Sequence, residues 1–277
     1  MRILTILAAA CLLLVSCQQE EGCTDPAATN YDPNAVEDDG SCDYENDPSN
    51  PGGGGSLDEP TIDGYTYEVV AIGEQVWFAE NLRTTVYANG DPIPFSLTND
   101  EWDSTNEGAT SVYGEMDGYC YEDSPALDAC DPEQSLDAYG RLYNWYAVND
   151  QRGICPNGWH TPTDEEWKTL EVELGMNSSE ADATGERGSN QGDQLKSISG
   201  WYDNGNGTDD FGFSALPGGY LSGGGLVYDQ AGQFGYWWSS SSFNSEAWNR
   251  SLRRHNSLVG RLSVNPNYGL SVRCIQD

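Results

Sequence analysis

The chain has 277 residues, of which 45 are Asp or Glu and only 12 are Lys or Arg, giving a formal net charge of −33. A field of that sign repels phosphates and anionic lipid headgroups, which argues against nucleic acid or an anionic membrane surface as a partner. With 32 Gly, 9 Trp and 16 Tyr, the composition also excludes a coiled coil or helical bundle and fits a loop-rich β or α+β fold outside the cell.

The first residues predict export. Arg2 precedes the apolar run "ILTILAAACLLLV", too short to span a membrane, which reads as the core of a signal peptide over residues 1–16. It ends in "LVSC", which resembles the lipobox of bacterial lipoproteins. That resemblance implies cleavage before Cys17 and acylation of its sulfur and new amino terminus. Each buried CH₂ of such chains contributes roughly 0.8 kcal/mol, so several chains anchor durably. An ordinary secretory signal with a chance Cys is the alternative. Residues 17–21 are expected to form the lipidated N-terminus, and the "QQEEG" that follows Cys17 (18–22) resembles the surface-export signal of Bacteroidetes lipoproteins. The expectation is an outer-membrane protein, lipid-anchored at the cell surface, touching the membrane through that anchor. The processed chain carries 45 acidic and 11 basic residues, a net charge of −34.

Cys11 leaves with the signal and Cys17 takes lipid, so six cysteines remain. Order and spacing suggest Cys23–Cys42, Cys120–Cys130 and Cys155–Cys274, one of the fifteen pairings that six cysteines allow. Zinc is the competing reading, but there is no Cys-x-x-Cys and the only histidines are His160 and His255.

Residues 22–44 form a module too small to build its own apolar core, so it needs a staple or a metal. Cys23 and Cys42 supply the staple, and Asp25, Asn30, Asp32, Asn34, Asp38 and Asp39 are hard oxygen donors close together. The segment resembles Cys-bracketed, Asp-rich repeats of exported Bacteroidetes proteins and the thrombospondin type 3 repeat, which implies calcium. Its spacing does not match an EF-hand, and a solvated acidic stalk is the alternative. Residues 45–60, "ENDPSNPGGGGSLDEP", bury nothing and read as a flexible linker.

Residues 61–277 read as one domain. Alternation of Tyr65, Tyr67 and Val69, then Val76 and Phe78 after Gly73-Glu74, predicts a hairpin. Residues 84–140 hold thirteen acids and no Lys or Arg, and read as an irregular surface loop with its own Cys120–Cys130 clip. Tyr139, Leu142, Tyr143 and Tyr146 at helical spacing predict a helix over 138–148, despite Gly140. Thr163 and Glu166 form a capping box for "TDEEWKTLEVELG", with Trp167, Leu170 and Leu174 as its inner stripe and Gly175 as its stop. "EAWNRSLRR" and "GRLSVNPNYGLSVRCI" alternate as strands around an Asn265-Pro266-Asn267 turn.

Six motifs now stand in order: "VWFAENLRT" (76–84), "YGRLYNWYAV" (139–148), "CPNGWHTPTDEEW" (155–167), "NGTDDFGFSALPGG" (206–219), "GYWWSSS" (235–241) and "SVRC" (271–274). Together they resemble the Fibrobacter succinogenes major paralogous domain over essentially all of 61–277. The stretch near 98–137 matches least and reads as an acidic insertion. That family in turn resembles the C-type lectin-like group, including its formylglycine-generating-enzyme branch. The resemblance implies an α+β mixed fold with short antiparallel strands, two helices, long loops and a terminal bond that Cys155 and Cys274 suit.

Site chemistry is sparser. Ser239 to Ser242 lie in a strand-like run without a nucleophile elbow, and formylglycine chemistry needs thiols that here pair with each other. Adjacent strand residues face opposite ways, so one of Trp237 and Trp238 is expected in the core and the other beneath a loop or open as a stacking surface. The acid-free stretch 247–276 carries Arg250, Arg253, Arg254, Arg261 and Arg273, either paired with carboxylates elsewhere or docking acidic polysaccharide. Trp201, Trp237, Trp238, Arg250 and Arg254 are the ligand-binding candidates. Asp203, Asn204, Asn206, Asp209 and Asp210 offer calcium-type oxygens on a Gly-rich loop, although the calcium-lectin signatures are absent. The expected function is a non-catalytic module contacting extracellular glycan or protein. The alternatives are a structural envelope protein without a specific ligand and a polysaccharide hydrolase.

Overall fold

The computed structural model describes residues 21–26, 28, 31, 33–38, 59–116, 119–121, 124–223 and 227–277. The expected signal peptide, Cys17, Cys42, Asp32, Asp39 and nearly all of the 45–60 linker lie outside the described residues. The chain divides into two compact units, Met1–Leu57 and Asp58–Asp277. In the smaller one, Glu21–Gly22 pairs in parallel with Glu37–Asp38, and Cys23 is buried and disulfide-bonded.

The larger unit is α+β. Its first hairpin, Val69–Ile72 and Gln75–Phe78, closes over Gly73 at φ 60°. The last strand, Ile275–Gln276, lies between Gln75–Phe78 and Trp159–His160, making a four-stranded antiparallel sheet. Start and end of the domain are therefore hydrogen-bonded to each other. Beside that seam, Cys155 and Cys274 form a disulfide with a Cα–Cα distance of 5.9 Å, while Cys120 and Cys130 form a local one at 5.8 Å.

A seven-stranded sheet makes the rest of the framework. Its order is Gly185–Arg187, Val259–Val264, Glu246–Arg253, Phe234–Phe243, Gly218–Leu221, Val227–Ala231 and Tyr119–Cys120. The long Phe234–Phe243 strand lies at its centre, and both of its faces are covered. Trp238 packs with Tyr67, Phe78, Tyr143 and Trp159, whereas Trp237 packs with Trp77, Trp167, Trp201 and Phe213. The expectation that only one of the two indoles enters a core is corrected: both are buried, on opposite faces. Each also has an acceptor, Trp237 Nε1 donating to Asn81 Oδ1 at 2.8 Å and Trp238 Nε1 to the Tyr143 carbonyl at 2.7 Å. Gly235 is dictated by this packing. A Cβ there would lie 2.2 Å from the Trp237 ring and 2.8 Å from the Leu216 carbonyl oxygen.

The Asp164–Glu173 helix forms as its capping box predicts: Glu166 N donates to Thr163 Oγ1, and Thr163 N to Glu166 Oε2. Trp167 and Leu170 face inward, but so do Asp164 and Glu171. These carboxylates meet three buried arginines from the seven-stranded sheet. Arg250 bridges Asp164 and Glu171, Arg187 holds both oxygens of Glu171, and Arg261 holds both oxygens of Asp164. Asp164 would be pushed up by burial, but hydrogen bonds from Arg261 and the charge of Arg250 carry its pKa below the usual value. Arg273 is buried differently. It donates to Asn81 Oδ1 and to the carbonyls of Phe78, Phe213 and Ser214, and desolvation pulls its pKa down to about 9.

Two further expectations are corrected. No single helix runs over 138–148; a helix spans Pro132–Tyr139, stops at Gly140 (φ 70°), and a new turn begins at Trp145–Val148. Between them Leu142–Tyr143 pairs with Thr110–Ser111, so strand pairing overrides the helical spacing of the aromatics. Nor are residues 84–140 merely an irregular surface loop. They carry the helix Asn99–Ser104 and bury Trp102, Ala109, Tyr113 and Tyr139 in a third apolar cluster. Most of the acids on this stretch lie on its exposed side, which is why composition alone suggested a loop.

Candidate functional site

One surface groove gathers residues from three of the recurring motifs. The helix Trp145–Val148 is capped by Asn144 Oδ1, accepting from Ala147 N, and ends at Asn149. A turn through Asp150 and Gly153 (φ 69°) then leads to Cys155, which the disulfide fixes to Cys274. From the Trp159–His160 strand come Trp159, His160 and then Thr161, and from the central strand of the larger sheet comes Ser240. Together these enclose about 260 Å³, with Val148 and Ile154 among the apolar walls. An adjoining cleft of about 440 Å³ shares Asn149 and Asp150 and adds Glu107, Tyr146 and Arg152.

The charged groups at this groove are already compensated. His160 Nδ1 lies 2.7 Å from Asp277 Oδ1, and its Nε2 lies 2.8 Å from Glu166 Oε1. Burial alone would lower the imidazole pKa, but the hydrogen bonds to Asp277 and Glu166 outweigh it and raise the value. Glu166 is correspondingly lowered: burial opposes this, while the Thr163 amide and hydroxyl and then His160 favour the carboxylate. Arg152 donates through Nε and Nη2 to Asp150 and lies 3.8 Å from the Tyr87 ring centroid.

The neutral groups are less engaged. The backbone N–H groups of Asn149 and Ser240 donate to the Trp145 and Pro162 carbonyls. Among the described residues neither side chain has a hydrogen-bond partner, and the Thr161 hydroxyl meets only the Cys155 sulfur at 3.8 Å. His160 has no serine as a hydrogen-bond partner among the described residues. Both ring nitrogens of His160 face carboxylates, Ser239 is buried and accepts from Ser241 N, and Ser241 accepts from Asp164 N. Asn149, Thr161 and Ser240 thus line the groove together with Trp159.

The residues singled out from sequence lie elsewhere. Trp201, Trp237, Trp238 and Arg250 are all buried and present no stacking or docking face. Trp201 and Trp237 pack with Trp167 and Phe213, Trp238 packs on the opposite face with Tyr67, Phe78, Tyr143 and Trp159, and Arg250 is held by Asp164 and Glu171. Arg254 remains partly exposed and pairs with Asp203 at 3.0 Å. In the Gly-rich loop, Asp209 accepts from the Ser214 amide and hydroxyl, and Asn206 Oδ1 accepts from Trp201 N. Asn204 and Asp210 are exposed. The Asn206 and Asp209 oxygens therefore bond groups of the loop itself. Among the described residues no three His, Cys, Asp or Glu side chains gather as a metal-binding group. Of the proposed ligands in the small unit, Asp25, Asn34 and Asp38 are described, and each already has an interaction partner. The groove residues Asn149, Thr161 and Ser240 were missed. Their only sequence signal was position: Thr161 and Ser240 lie within the motifs at 155–167 and 235–241, and Asn149 directly follows the one at 139–148.

Fold and groove together define a disulfide-closed α+β domain with a neutral, polar surface groove. A family model, the Fibrobacter succinogenes major domain, matches residues 70–276, and the chain belongs to that family. No curated protein and no solved structure matches it.

Proposed function

We propose that the chain is an outer-membrane lipoprotein anchored through Cys17, whose larger unit is a C-type lectin-like, non-catalytic module that binds glycan or protein outside the cell. The observation that carries this reading is the groove, where Asn149, Thr161 and Ser240 offer uncharged hydrogen-bonding groups beside Trp159 while the charged neighbours are paired. Hydroxyl-rich ligands suit such a lining, since each buried hydroxyl needs a partner and each sugar ring has an apolar face. The lectin-like assignment is supported by the antiparallel seam between the first hairpin and the last strand, and by a disulfide bridging a separation of 119 residues. A thrombospondin type 3-like role for residues 22–44, with calcium as its ion, belongs to the same proposal on resemblance alone.

Binding to a glycan array, with and without calcium, tests the reading when the wild-type chain is compared with an Asn149→Ala/Ser240→Ala variant. The expected result is retention of a glycan class that the variant loses, at unchanged melting temperature. Absence of any retained glycan, or retention that the two substitutions do not alter, would leave a structural envelope protein as the better reading.

A further inference from the structure

We propose that the groove and the cleft beside it hold consecutive units of one linear, uncharged polysaccharide, an inference that rests on the reading of the groove as a glycan site. Both spaces are bordered by Asn149 and Asp150, so they meet at this one turn. The groove alone, at about 260 Å³, is smaller than the roughly 300 Å³ at which pockets for drug-sized molecules begin. With the cleft of about 440 Å³ added, the space falls inside the usual range of about 300–1,000 Å³. A single sugar would leave much of this lining unused.

The two spaces repeat one kind of lining. The groove has Trp159 with Asn149 and Ser240, and the cleft has Tyr146 with Asn106. Asn106 and Asn149 are exposed, Tyr146 and Ser240 are half-buried, and their side-chain polar atoms are not shut away from solvent. Among the described residues these amides and hydroxyls bond no other group, so they are open to a ligand. An aromatic face with an amide or hydroxyl, occurring twice, suits a polymer whose every unit carries one apolar face and a rim of hydroxyls. A peptide suits it less. An extended backbone seeks backbone partners, and the N–H groups of Asn149 and Ser240 already donate to the Trp145 and Pro162 carbonyls.

Charge narrows the class. Arg152, the cation of the cleft, donates to Asp150 through Nε and Nη2 and to Asp91 through Nη1. His160 of the groove is likewise held between Asp277 and Glu166. Neither offers an unpaired positive charge to an acidic unit. Glu107, by contrast, is exposed and has no ion pair among the described residues. The cleft therefore has a negative surplus within a chain of net charge −33, and uronic acid or sulfated units are repelled.

Titration calorimetry of the full chain tests the inference with glucose, cellobiose and cellotetraose, the matching mannose series, and tetragalacturonate. In at least one neutral series affinity should rise at least tenfold from the monosaccharide to the tetraose, and tetragalacturonate should not bind. Tyr146→Ala should weaken the tetraose by about threefold to tenfold, the loss of one aromatic contact, and leave the monosaccharide unchanged. Because Tyr146 is half-buried, Asn106→Ala at an exposed position serves as the second variant, with the same selective loss expected at unchanged melting temperature. Asn149→Ala/Ser240→Ala should weaken every length. Equal affinity for monosaccharide and tetraose, or a chain-length gain that neither Tyr146→Ala nor Asn106→Ala reduces, overturns the inference and leaves a single-unit groove standing. Tetragalacturonate binding as tightly as a neutral tetraose overturns it too. No binding at any length also overturns it, and retention on the glycan array then decides the groove reading separately.

Discussion

Arg250 Nε donates to Glu171 Oε1 at 2.6 Å, with both side chains almost completely removed from solvent. The same guanidinium reaches Asp164 at 2.8 Å, so one arginine from the Glu246–Arg253 strand fixes two positions of the Asp164–Glu173 helix. Removing one partner of such a pair leaves a buried charge, which typically costs about 3–5 kcal/mol. Arg250→Met is therefore expected to lower stability by about that amount in urea unfolding. A loss below about 1 kcal/mol would mean that Arg187 and Arg261 hold the helix without it.

Trp237 and Trp238 are neighbours in sequence, yet they belong to different apolar clusters on opposite faces of one strand. Trp237→Phe removes the donor to Asn81, and Trp238→Phe removes the donor to the Tyr143 carbonyl. Each should cost about 1–3 kcal/mol, for the lost hydrogen bond and the lost ring volume, although Asn81 Oδ1 keeps Arg273 and the Tyr143 carbonyl keeps Leu270 N as donors. Because the two share no partner, their effects should add to within about 0.5 kcal/mol in a double-mutant cycle. A larger coupling would show that the strand transmits packing between its faces.

How much of this could be read from the sequence depends on the range of the interaction that decides it. The capping box at Thr163 and Glu166 and the turn at Gly73-Glu74 are local, and both elements form where they were expected. The pairing of Cys155 with Cys274 also followed from order and spacing. The burial of both tryptophans did not, because it depends on distant segments covering both faces of the central sheet. Arg250 looked available for the same reason: its carboxylates lie 79 and 86 positions away in the chain. The helix expected over 138–148 failed because Leu142–Tyr143 is claimed by Thr110–Ser111, a pairing with no local signature. Asn149, Thr161 and Ser240 are chemically ordinary residues, and only the folding together of three motifs makes them one lining.

The two characterised disulfides should differ sharply in effect. Cys155–Cys274 closes a separation of 119 residues and Cys120–Cys130 one of 10. In the chain-entropy view the longer loop contributes at most about 4–5 kcal/mol and a short one about 2–3 kcal/mol. The long bond also pins the seam between Trp159–His160 and Ile275–Gln276. Replacing Cys155 and Cys274 by Ser should therefore lower the melting temperature more than replacing Cys120 and Cys130. Equal losses would show that the seam's backbone pairing holds the domain closed without its staple.

The His160 contacts give stability a pH dependence whose sign can be worked out. The imidazolium forms hydrogen bonds with Asp277 and Glu166, and these raise its folded pKa despite burial. A raised value stabilises the fold fully below the unfolded pKa of about 6.5, and that contribution is lost as pH rises through the folded pKa. Glu166 runs the other way. Its folded pKa is lowered, so its contribution is present above about 4.3 and is lost as pH falls through the folded value. The contact is consequently strongest between about pH 5 and 6.5. His160→Gln should reduce the melting temperature most in that window, and the gap from wild type should narrow toward pH 9 by calorimetry at constant ionic strength. A gap that stays constant across the range would mean that the imidazole is neutral in the folded protein and acts through shape alone.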